Sequence, residues 1–112
     1  HCDIISIHCP YTPETFHLLS KKRLNLLKRN CIVINTSRGE IIDEQALASL
    51  LFKKKIGGAG LDVFENEPVS NNSYLLSHPL CILGSHNASN TYDAVSRTNK
   101  VAIEKLFNFL GV

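Results

Sequence analysis

CIVINTSRGE, from Cys31 to Glu40, poses both the structural and the chemical question of this chain. Cys31 to Asn35 is mostly apolar and β-branched, the pattern of a strand in a parallel sheet buried on both faces by helices. It then gives way to Thr36, Ser37, Arg38 and Gly39. In such sheets ligands bind just past the carboxyl ends of the strands, so Arg38 stands where a substrate or cofactor is met.

The flanking sequence supports this reading. DIISIHC (3–9) predicts a short strand, closed by the loop PYTPET, in which prolines bar regular structure. Ser20 is a candidate N-cap for a helix over 21–27, with Leu24 and Leu27 on one side. Asp43 caps a helix over 44–54 whose apolar stripe is Leu47, Leu50 and Leu51. Gly57, Gly58 and Gly60 stop that helix and lead into a third strand at 61–64. ENEPVSNNS is turn-rich loop, and LCILGSH, after Pro79, predicts a fourth strand with His86 at its end. Ser89 or Asn90 caps a last helix over 91–110, where Val95, Ala102, Leu106 and Phe109 recur at helical spacing beside Ile103 and Leu110. The order β-α-β-α-β-β-α predicts an α/β fold with a mainly parallel, doubly wound sheet and flanking helices.

Composition sets outer bounds. A chain of 112 residues makes one domain with a core but is small for a complete enzyme. A hydrophobic content of 44% with 20% charged residues is ordinary for a globular chain. The net charge of +2 gives no ground for a nucleic-acid or membrane partner. The basic runs at 21–23 and 53–55 lie beside predicted helix ends and read as solvated surface. The four cysteines form no CxxC pair, which suits a reducing cytosol and a cytoplasmic location. His1-Cys2 and His8-Cys9 suggest a metal, but adjacent strand residues point to opposite faces, so none is expected. Neither a signal peptide nor an apolar run of membrane length is visible.

Chemistry gathers in the loops after the strands. Arg38 follows the second strand, DVFENEP the third, and His86 closes the fourth. Neighbouring parallel strands present their carboxyl ends at one edge, so these residues can meet there. A planar guanidinium grips a carboxylate in bidentate fashion. Histidine exchanges a proton near neutral pH, and a neighbouring carboxylate orients the imidazole. Together they suit the interconversion of a 2-hydroxy and a 2-keto acid, with the arginine also polarising the carbonyl oxygen.

HCPYTPET (8–15), INTSRGEIIDEQAL (34–47), GAGLDVFENEP (58–68) and GSHNAS (84–89) occur in the order and at the separations of one family. The chain resembles the second half of the NAD-binding domain of the D-isomer-specific 2-hydroxyacid dehydrogenases, in particular the phosphoglycerate dehydrogenase-like members. The resemblance implies a partial Rossmann-like fold, an NAD cofactor with NADP left open, a small 2-hydroxy or 2-keto acid substrate and a homo-oligomer. It assigns catalysis to Arg38, Glu67 and His86, with Glu65 the rejected alternative to Glu67. It puts Asp62 at the nicotinamide carboxamide, and Cys9, Pro10, Thr15, Thr36, Ser37, Ala88 and Ser89, with Arg38 and His86, along the cofactor groove. Phosphoglycerate is the expected substrate over lactate, glycerate or glyoxylate. Ser85 and Asn87 depart from the family pattern beside the histidine, which bears on the substrate pocket.

The glycine-rich G-x-G-x-x-G phosphate loop and the acidic residue about 20 positions after it lie outside these residues, as does a substrate domain. The chain is therefore expected to be a fragment, 1–112 forming one partial NAD-binding domain that alone neither holds NAD tightly nor turns over. An unpaired sheet edge is expected to drive self-association. Corepressors built like these dehydrogenases make a non-catalytic scaffold the rival reading, and an inactive truncated product a third.

Overall fold

A computed structural model describes residues 2–111; His1 lies outside them. One sheet holds β1 (Ile4–Ile7), β2 (Ile32–Asn35), β3 (Gly58–Leu61) and β4 (Cys81–Leu83). Neighbouring strands are parallel throughout, in the order β1-β2-β3-β4. Helices α1 (Lys21–Leu24), α2 (Glu44–Phe52) and α3 (Tyr92–Leu110) complete an α/β, Rossmann-like architecture, with short 3-10 turns at Gly39–Ile41 and Tyr74–Ser77. The expected element order holds, and the sheet is wholly parallel among the described residues.

The core lies between the sheet and the first two helices. Val33 of β2, Leu24 of α1, and Leu47 and Leu51 of α2 are fully buried, with Ile7, Ala59 and Leu61 beside them. The leucine stripe predicted for α2 is thus the face it buries. Asp43 caps that helix by accepting from the Ala46 N–H at 2.9 Å, satisfying a donor without an intrahelical partner.

Several boundaries differ from the sequence expectation. Ser20 makes no side-chain cap bond to α1. After Leu24 the chain tightens to three-residue bonds, Leu26 N–H to Arg23 and Leu27 N–H to Leu24, so the helix stops short of 27. The third strand is Gly58–Leu61 instead of 61–64. Glycine disfavours strands in general, but here close packing demands it. A Cβ on Gly57 would lie 2.5 Å from the Asn30 carbonyl oxygen, and one on Gly58 2.8 Å from that of Leu80. Val63 and Phe64 then turn into the core as buried loop residues. The fourth strand ends at Leu83, before His86. Thr91, not Ser89 or Asn90, caps α3, its hydroxyl accepting from the Ala94 N–H at 3.2 Å.

No residue of α3 is buried. Among the described residues no helix is long and apolar enough to cross a membrane.

Candidate active site

Parallel strands place all their carboxyl ends on one rim, and the loops leaving them hold residues 8–11, 36–38, 62–67 and 84–88. At the end of β2, Asn35 is buried although polar. Its Oδ1 accepts from the Ser37 N–H at 3.0 Å and its Nδ2 donates to the Arg38 carbonyl at 2.8 Å. This side-chain turn is why an apolar strand ends by presenting an arginine. The Ser37 hydroxyl donates to the Ile7 carbonyl at 2.9 Å, tying the ends of β1 and β2 together. The Arg38 side chain is exposed and donates to the Ser37 carbonyl at 2.7 Å; no carboxylate among the described residues forms an ion pair with it.

Gly39 brings that segment against the turn after β3. A Cβ there would lie 1.9 Å from the Phe64 carbonyl carbon and 2.4 Å from the Glu65 nitrogen. Within the turn, Glu67 Oε1 accepts from the Phe64 N–H at 3.0 Å, and its Oε2 lies 2.8 Å from His86 Nδ1. The hydrogen bond from His86, and after it that from Phe64, holds the Glu67 carboxyl below the usual range. Burial opposes this slightly, and the charges of His86 and Arg38 add smaller pulls in the lowering direction. Arg38 therefore acts on Glu67 through its field without touching it.

His86 has a left-handed backbone, φ 58°, which non-glycine residues seldom adopt. Asp62 enforces it. The Asp62 carbonyl accepts from the His86 N–H at 2.8 Å, and its carboxylate accepts from Asn87 N–H at 3.1 Å and Ala88 N–H at 2.7 Å. Asp62 is only 7% exposed. Gly84 makes room for it, since a Cβ there would meet Asp62 Oδ1 at 2.1 Å. The His86 side chain stays 48% exposed, with Nδ1 engaged by Glu67.

Two hollows result. Asp62, Phe64, Glu67, Pro68, Val69, Gly84, Ser85 and His86 line one of about 300 Å³. His8, Cys9, Pro10, Tyr11, Thr36, Ser37 and Arg38 line an open groove of about 500 Å³. The residues singled out in the sequence thus divide between these hollows, apart from Thr15, Ala88 and Ser89. The Thr15 hydroxyl donates to the Pro10 carbonyl at 2.8 Å and accepts from the Thr12 N–H at 2.7 Å, shaping the groove's loop from behind. Ala88 and Ser89 are exposed, and the Ala88 N–H is committed to Asp62. Sequence reasoning missed Asn35, Gly39 and Gly84. Their signal was present: an amide closing an apolar run, and glycines within two residues of the arginine and the histidine.

Comparison with known proteins bears on the family and the fold. Residues 1–88 match the family model described as D-isomer specific 2-hydroxyacid dehydrogenase, NAD binding domain. A glyoxylate reductase of Korarchaeum cryptofilum is 40% identical over 107 residues, which is 96% of this chain and 32% of that protein. A D-3-phosphoglycerate dehydrogenase of Methanocaldococcus jannaschii is 38% identical over 104 residues, 93% of this chain and 20% of that protein. Among solved structures, an acyclic imino acid reductase in complex with NADPH and D-Arg superposes with a TM-score of 0.89 at 35% identity, covering 97% of this chain and 34% of that one. The chain thus spans about a third or less of the length of these relatives. From its motifs, its wholly parallel sheet and these matches, the chain belongs to the D-isomer-specific 2-hydroxyacid dehydrogenase family and corresponds to the C-terminal part of its NAD-binding domain.

Proposed function

We propose that this chain carries the catalytic rim of an NAD- or NADP-dependent oxidoreductase interconverting a small 2-hydroxy acid and its 2-keto acid. The observation that carries the reading is the His86 Nδ1 to Glu67 Oε2 contact of 2.8 Å, on a turn that Arg38 influences electrostatically. Bound nicotinamide supplies the acceptor or donor of the hydride. The substrate carboxylate and the proton are handled by residues of this chain. Arg38 binds the substrate carboxylate and draws electron density toward the reacting oxygen. In oxidation His86 Nε2 takes the hydroxyl proton as the hydride leaves carbon, and in reduction it returns that proton to the oxygen. Glu67 accepts from Nδ1, fixing the tautomer and stabilising the imidazolium.

The groove lined by 8–11 and 36–38 is polar and open and lies at the carboxyl ends of β1 and β2, where an elongated cofactor would run along strand ends. Cys9, Pro10, Thr36 and Ser37 would hold it, with Thr15 supporting their loop. Asp62, Ala88 and Ser89 would meet its nicotinamide end, Asp62 through lone pairs not taken by Asn87 and Ala88. Relatives named for glyoxylate and for 3-phosphoglycerate support a short 2-hydroxy acid as substrate class, and phosphoglycerate is one member of that class. The 112 residues alone are expected to bind NAD weakly and not to turn over; micromolar binding by calorimetry would refute that part. A cytoplasmic, homo-oligomeric protein completes the proposal.

The test is His86→Ala in the full-length protein, assayed by NADH absorbance with glyoxylate and with 3-phosphohydroxypyruvate. General acid–base loss lowers kcat roughly 10²–10⁴-fold. Unchanged turnover with either substrate overturns the assignment and favours a scaffold.

A further inference from the structure

Glu65 is the acidic residue that the motif DVFENEP offers beside Glu67, and it does not line the His86 hollow. Its side chain turns to other partners. Glu65 Oε1 accepts from the Glu44 N–H at 3.0 Å, at the start of α2, and lies 2.7 Å from His17 Nε2. In return the Glu65 N–H donates to Glu44 Oε2 at 3.0 Å. His17 is anchored in turn: its backbone is left-handed, φ 45°, its N–H donates to the Glu40 carbonyl at 2.9 Å, and its ring stacks on Phe16 at 4.0 Å. Three connections, after β1, before α2 and after β3, are thereby joined at one carboxylate.

The Phe64–Glu65 peptide, whose N–H is held by Glu44, adjoins the Val63–Phe64 peptide, which serves the proton-moving pair. Phe64, directly before Glu65, supplies the N–H that Glu67 Oε1 accepts. The Phe64–Glu65 peptide itself lies against Gly39 beside Arg38, with no room for a Cβ. We infer that Glu65, clasped by Glu44 and His17, is a positioning residue that aims the Glu67 carboxylate at His86. This rests on the reading of Glu67 and His86 as the pair that moves the proton. Without the clasp, the turn carrying the Phe64 N–H and the Glu67 side chain loses its hold on α2. The hydrogen bonds to Glu67 then lengthen, and Glu67 becomes harder to ionise.

Carboxyl-carbon NMR of the 112-residue chain reads this without any activity assay. In the wild-type chain the Glu67 midpoint lies below the ordinary glutamate range. Glu65→Ala raises it by roughly half a unit or more. Glu65→Gln, whose amide oxygen still accepts from Glu44, stays within about 0.2 unit of wild type. His17→Ala, at a partly exposed site, shifts it in the same direction as Glu65→Ala and decides the matter if that variant does not fold. A merely structural clasp would lower the melting temperature and leave the Glu67 midpoint in place. That result, or Gln behaving as Ala does, overturns the inference. A wild-type midpoint in the ordinary range overturns instead the pairing of Glu67 with His86, so the two failures are distinct.

Discussion

His86 keeps a backbone conformation that costs about 1–3 kcal/mol in isolation because Asp62 accepts hydrogen bonds from it and from the two residues after it. Asp62→Ala leaves the Asn87 and Ala88 N–H groups without their acceptor and lets the 85–88 turn relax. The expected outcome is loss of His86 function with the imidazole still present, seen as a fall in kcat comparable to that of His86→Ala. Gly39→Ala acts from the other side. Its methyl group displaces the Phe64–Glu65 peptide and should lower stability by roughly 1–3 kcal/mol, read as a reduced melting temperature by circular dichroism. Glu67 and Glu44 predict opposite pH responses. Glu67, lowered by its hydrogen bonds, contributes stability that is complete above the unfolded value of about 4.3 and is lost as pH falls through the lower folded value. Urea titrations should therefore show the deficit of Glu67→Gln relative to wild type shrinking with acid. Glu44 is raised, chiefly by burial, with the neighbouring Glu65 charge adding to it. Its contribution is complete below the unfolded value and lost as pH rises through the folded one, so Glu44→Gln gains on wild type toward neutral pH.

At the scale of elements, α2 is the piece whose sequence and structure agree most closely. Its cap, Asp43, and its leucine stripe both do what their spacing predicts. Leu51→Ala, at a site with no solvent exposure, should cost about 2–5 kcal/mol. Asp43→Ala should cost about 1 kcal/mol, and denaturant unfolding separates the two. The third strand shows the opposite case. Gly58 looks like a breaker in a one-dimensional reading, yet it opens the strand where the chain at Leu80 passes too close for any side chain. That crowding is set by residues far away in sequence.

Across the whole molecule, α3 extends from the body with Val95, Ile103 and Leu106 about half exposed and Phe109 86% exposed. β1 lies at the sheet's edge with Ile4 also exposed. Apolar surface and an unpaired edge of this kind favour association. Light scattering on the 112-residue chain is expected to find a dimer or larger species, and a monodisperse monomer would count against it.

Amino-acid order alone determined the α/β class and the sequence of elements, and it singled out Arg38, Glu67 and His86 as candidates. Class and order depend on local periodicity, and the rule that parallel strands present their ends at one rim drew attention to Arg38 and His86; the choice of Glu67 over Glu65 is what the family resemblance implies. Tertiary structure alone decided the rest. It showed that Glu67 touches His86 while Arg38, among the described residues, forms no ion pair with either carboxylate of that turn. It showed that Asp62 shapes the histidine turn, and that Glu65 closes a clasp with Glu44 and His17. Those facts arise where loops from different strands press together. A glycine's missing methyl group or a carboxylate's choice of donor is settled there by partners distant along the chain.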